Sequence, residues 1–242
     1  WRAPAAAIDE AEDVCGGVAG REVAAGLEAL ALLERSAALA AFARAEAASP
    51  ACPLGPWGLS LAWIRLPDAD AADAEWSQAR TALQRALLAA DRLATRDAFV
   101  RELLAAARPL LEPDPPLARL RAFAISSWTL AQRHPGDRRA VLPAALAALA
   151  TSSLPGDEWH RRAASLVAPA PGGAEDAASL SVHVLACEGS GDHARDPASG
   201  AAATCLEAAR ALVGQAPAAP RALVAAARVL VGGGEWALAA DP

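Results

Sequence analysis

Lysine, asparagine, methionine and tyrosine are all absent from the 242 residues, and aromatic residues make up only 4%. With no lysine there is no Schiff-base chemistry, and with no tyrosine there is no phenolic acid or base. All 22 basic residues are arginine. The codons of the four missing residues are AT-rich, so the pattern reads as the mutational bias of a GC-rich genome. The shortage of aromatic and β-branched residues argues against an all-β sandwich. A net charge of −6 and a pI near 5.3 supply no global field toward nucleic acid or anionic lipid. No run of ~18 apolar residues free of charge is present, so no membrane span is expected. The chain begins at Trp1 without an initiator methionine. It is therefore expected to start inside a longer protein or after processing, with any signal peptide already removed.

What fills the chain is alanine: 70 residues, more than half of the 54% counted as hydrophobic. Alanine favours helix and lets helices approach closely. At 242 residues the chain is long enough for one large domain or two small ones with a real core. From residue 18 onward, Ala/Leu-rich stretches alternate with short Pro, Gly and Asp breaks, and strand alternation is lacking. The breaks predict helices over 18–34, 37–48, 55–65, 73–93, 96–111, 115–133, 138–151, 157–167, 174–187, 198–214, 219–231 and 235–240. Asp114-Pro115, Asp137, Asp157 and Thr95/Asp97 are the expected N-terminal caps. Connections of two to eight residues fold neighbouring helices back antiparallel. Residues 1–17 read as an extension, 18–242 as one helical-repeat domain, and 167–174 as a candidate hinge within it.

Gly26, Ala38, Phe42 and Pro50 follow at spacings of 12, 4 and 8. Small residues where two helices touch, an aromatic one turn on and a proline at the stop are the pattern of a tetratricopeptide repeat. Ala227, Gly234, Trp236 and Ala239 read as a second copy, cut off at Pro242, so the last repeat is expected to be incomplete. The run from Cys15 through Gly26, Phe42, Pro50, Cys52, Trp57 and Gly58 resembles the N-terminus of a family of bacterial tetratricopeptide-repeat proteins, often exported. The segment from Pro220 to Trp236 is similar to a later part of the same family. The resemblance implies an αα-hairpin superhelix of about 11–12 helices. That family carries histidines on the first helices of several repeats. Here the matching positions hold Arg35, Ser179, Arg221, Val224 and Arg228, and only His183 remains, so the chain reads as a degenerate relative that keeps the scaffold.

Cys15 and Cys52 would stand at the same end of the first helix pair, and with the resemblance a disulfide between them is expected; the alternative is two unrelated buried thiols. A bridge implies an oxidising compartment, periplasmic or extracellular; without it the chain reads as cytoplasmic. His183 and Cys187 share a helix face at i, i+4, and with His193 in the following loop they form an alternative metal set for zinc or copper. The plainer reading is a core cysteine beside a half-buried histidine. No Gly-x-Ser-x-Gly elbow and no phosphate loop occurs. The carboxylate runs, including Asp68/Asp70/Asp73, read as solvated loops. Trp57 with Leu61 and Trp128 with Phe123 are expected in the core.

Trp63, Arg65, Arg221 and Arg228 are expected on the inner groove, where the arginines would form a small cationic patch for a carboxylate, a phosphate or an acidic peptide. The expectation is a non-catalytic scaffold for a protein or peptide partner, with no cofactor. The alternatives are a metal- or small-molecule-binding protein at the His183 region, or the front part of a larger repeat protein.

Overall fold

The computed structural model describes residues 15–68, 70–92, 97–151, 158–167, 176–190, 200–215 and 219–232. Among these, all regular structure is helical. The elements are α1 (Gly17–Ala31), α2 (Arg35–Ala48), α3 (Leu54–Trp63), α4 (Asp73–Arg92), α5 (Ala98–Ala107), α6 (Pro116–Arg133), α7 (Arg138–Thr151), α8 (Glu158–Val167), α9 (Ala177–Ser190), α10 (Gly200–Gln215) and α11 (Pro220–Gly232). Each helix expected between 18 and 231 has its counterpart. The expected helix 235–240, the extension up to residue 14, most of the hinge 167–174, and the caps Thr95 and Asp157 lie outside the described residues.

Local chemistry explains most boundaries. Asp97 accepts from Phe99 N–H at 2.9 Å and Val100 N–H at 3.3 Å, capping α5. Asp137 accepts from Arg139 N–H at 2.8 Å ahead of α7. The expected single helix 96–111 is α5 followed by a 3-10 turn over Arg108–Leu111. Pro109 has no N–H to continue the α ladder. Asp114 does not cap α6. Pro115 holds the cap position with no side-chain hydrogen bond, and Pro116 opens the helix where a missing N–H costs nothing.

Two helices are buried all round and apolar but for Ser60 and Arg139: α3 from Leu54 to Ala62, and α7 from Arg139 to Ala148. Consecutive helices pack as neighbours along the chain. In an open solenoid each helix pair meets only the adjacent pairs. Here α1 touches α3 and also α7 and α9, so the stack closes on itself over this stretch. One core runs from Cys15 to Ala186, and a second joins α9, α10 and α11. Leu32, at the end of α1, packs against that second core, which brings an N-terminal turn onto the C-terminal helices. Trp57 is buried, at 1% exposure. Trp128 is not: it is half-buried, with the Arg162 guanidinium 5.6 Å above its ring, while Phe123 takes the core position.

Candidate functional site

Helices α1 and α3 each run into a left-handed residue. Beyond α1, Leu33 N–H donates to Leu30 O at 3.1 Å and Glu34 N–H to Ala29 O at 2.8 Å, which closes the last turn. Beyond α3, Arg65 N–H donates to Ala62 O at 3.4 Å. The Glu34 bond needs a left-handed residue just before it, which Leu33 (φ 63°) supplies, and Arg65 (φ 59°) is the left-handed residue beyond α3. A side chain in this conformation costs ~1–2 kcal/mol, which is why glycine is usual there. With no glycine to mark the stops, sequence reasoning carried these two helices on to 34 and 65.

The two strained residues line one surface. Leu33, Arg65, Arg35 and Arg221 wall a crevice of about 10 Å³, with Asp68 at its edge. An adjoining cavity of about 350 Å³ shares Leu33, Asp68 and Arg221 and adds Leu185, Val224 and Arg228. Val224 is 50% exposed there. The cleft thus joins the ends of α1 and α3 to α9 and α11, with Leu33, Leu185 and Val224 as its apolar part. Arg35, Arg221, Val224 and Arg228 lie along it.

The arginines do not stand as bare cations. Arg221 pairs with Asp68 at 2.6 Å and Arg228 with Glu188 at 2.6 Å. Arg65 Nε lies 3.2 Å from Asp70 Oδ1, and its Nη1 lies 3.9 Å from Glu75 Oε2. Arg35 pairs with Glu75, donates to Ala62 O at 3.2 Å, and stacks 5.3 Å over the half-buried Trp63. Four guanidiniums therefore face four carboxylates (Asp68, Asp70, Glu75, Glu188). The Ala72 N–H, donating at 2.9 Å, and the Arg35 guanidinium hold the Glu75 carboxyl below its usual range. The Asp68 and Asp70 carboxylates, read from the sequence as solvated, are arginine partners; nothing in a short acidic run marks which arginine it will meet. Both cleft-rim pairs are exposed and screened by solvent, so an incoming carboxylate can take either arginine at small cost.

His183 lies apart from this cleft. It is 7% exposed, and burial pushes its imidazole below the ordinary histidine range. Cys187, one turn on, is bonded to Cys205 of α10 at 2.04 Å. Cys187 is thus a core cysteine, as expected, but a bridged one. Sequence reasoning missed the partner because the two sit on different helices, with no spacing motif linking them. His193 lies outside the described residues. Cys15 and Cys52 are also joined, bracketing α1 and α2. A larger cavity of about 570 Å³ runs along Pro50 and Leu88, beside the Arg85–Glu46 pair. Its lining includes no left-handed residue.

Comparison with protein-family models, with curated proteins and with solved structures finds no match for this chain.

Proposed function

We propose that this chain is a non-catalytic, tetratricopeptide-repeat-like scaffold that binds an extended peptide segment of a protein partner in the cleft between the ends of α1 and α3 and helices α9 and α11. One observation carries the reading: both left-handed non-glycine residues among the described residues, Leu33 and Arg65, line that cleft. Strained backbone of this kind collects at ligand clamps, where the local cost is held by the surrounding fold. The lining chemistry names the peptide class. Val224, Leu33 and Leu185 take an aliphatic side chain, and Arg221 or Arg228 exchanges its internal carboxylate for one on the ligand. The pairing of all four cysteines supports an oxidising compartment, periplasmic or extracellular.

The test is selection from a displayed-peptide library. The wild-type chain is expected to enrich peptides with an acidic residue beside an aliphatic one. An Arg65→Glu/Arg228→Glu chain of unchanged helicity is expected to lose them. The same peptides on both chains, or no enrichment on either, removes the cleft as the binding site.

A further inference from the structure

Among the described residues, one group of three His, Cys or acidic side chains is close enough to hold a metal ion: His183, Cys187 and Cys205. One ring nitrogen and the two sulfurs all lie within 4.8 Å of one another, and all three residues are buried. His183 Nδ1 is buried and has no hydrogen-bond partner. His183 and Cys187 are four apart on α9, and Cys205 faces them from α10. With metal–sulfur bonds of ~2.3 Å and metal–nitrogen bonds of ~2.0 Å, ligands around a three-coordinate ion stand roughly 3.7–4.0 Å apart. The imidazole nitrogen, within 4.8 Å of both sulfurs, is close to that span, whereas the sulfurs, bonded to each other at 2.04 Å, must move apart. Their Cα atoms are 5.8 Å apart, so side-chain rotation alone can separate the sulfurs once the bond is cut.

We infer that Cys187, Cys205 and His183 form a redox-gated site for a thiophilic d10 cation, closed as a disulfide in the oxidised protein and open as two thiolates and one imidazole in the reduced protein. Two equivalents of a low-molecular-weight thiol give two electrons to the Cys187–Cys205 bond. The products are two protein thiols and one disulfide of the reductant. The cation then displaces the two thiol protons to solvent and gains the His183 nitrogen as third ligand. Two thiolates and one imidazole are soft donors that select Zn(II) or Cu(I) over hard cations. Zn(II) leaves the site neutral and Cu(I) is satisfied by three ligands, so the two ions are separate arms of the test.

The full chain is reduced without oxygen, freed of reductant and titrated with Zn(II) alone and, separately, with Cu(I) alone against a chromophoric chelator. Alkylation followed by peptide mass mapping then reports which cysteines the ion shields. One ion per reduced chain, none on the oxidised chain, and protection of Cys187 and Cys205 together is the expected result. His183→Ala is expected to weaken binding at least tenfold. Reoxidation with a small disulfide should expel the ion. Protection confined to Cys15 and Cys52, equal binding by the oxidised chain, or no binding of either ion overturns the site. The comparison of oxidised with reduced wild type needs no substitution, so a variant that fails to fold does not spoil it.

Discussion

The ring of Phe42 fills the space left by two missing side chains, at Gly26 on α1 and Gly58 on α3. A Cβ at Gly26 would stand 2.6 Å from Phe42 Cε1, and one at Gly58 would run into the same ring. Phe42 is fully buried, so the ring has nowhere to retreat. Gly58→Ala is therefore expected to destabilise by ~1–3 kcal/mol through overpacking, despite the gain in helix propensity. Phe42→Leu in the Gly58→Ala background should recover part of that loss. A Cβ at Gly214 would meet nothing within 4 Å, and the position is exposed, so Gly214→Ala should stabilise by ~0.5–1 kcal/mol. Urea unfolding of the variants checks the opposite signs; a stabilised Gly58→Ala would mean that the Phe42 slot has room for a methyl group.

That slot was legible in the sequence, as was the helix order. A glycine, a small residue and an aromatic at fixed spacing imply close approach wherever they occur. Alanine-rich runs broken by proline and aspartate also leave little alternative to helix. The cleft was only partly legible. Arg65, Arg221 and Arg228 do line it, but their carboxylate partners come from segments as far as 153 residues away, and no local pattern encodes that. The left-handed stops at Leu33 and Arg65 leave no mark either, because the residue types contradict the conformation. Cys205 was visible as a residue, but its pairing depends on how α9 and α10 face each other.

Arg65→Gly separates stability from binding. Glycine relieves ~1–2 kcal/mol of left-handed strain. Against this stand the loss of two solvent-screened ion pairs and ~0.5–1 kcal/mol of unfolded-chain entropy. Stability should stay within about 1 kcal/mol of wild type, while the enriched peptides are lost. Leu33→Gly differs, since a side chain 9% exposed is given up, and it should be destabilised by ~1.5–3 kcal/mol less the strain relieved. Undiminished peptide binding by Arg65→Gly would remove Arg65 from the clamp.

The Cys15–Cys52 bridge spans 37 residues and ties the two open ends of the α1/α2 pair. Closing a loop of that length removes ~3–4 kcal/mol of unfolded-chain entropy. Cys15→Ser/Cys52→Ser is expected to lower stability by that amount in denaturant titration. A loss under ~1 kcal/mol would show that the unfolded chain already keeps the pair together.

Glu28 gives the fold a pH dependence of unusual sign. It is half-buried on α1, and burial raises its carboxyl from 4.5 to about 7; Arg138 pulls it down and Asp176 pushes it up. Arg138 itself is held by Asp176 at 2.7 Å, so it only partly compensates Glu28. Between 4.5 and about 7 the folded chain binds more protons at this site than the unfolded chain does. Stability from Glu28 is therefore complete below 4.5 and is lost as pH rises through about 7. Solvent screening reduces the amplitude to a fraction of the ~1.4 kcal/mol per pKa unit of a fully buried group. Glutamine mimics the protonated form, so Glu28→Gln should match wild type in thermal midpoint at pH 5 and exceed it at pH 8. Parallel midpoint curves for the two chains from pH 5 to 8 would mean that Glu28 keeps an ordinary carboxylate titration in the folded protein.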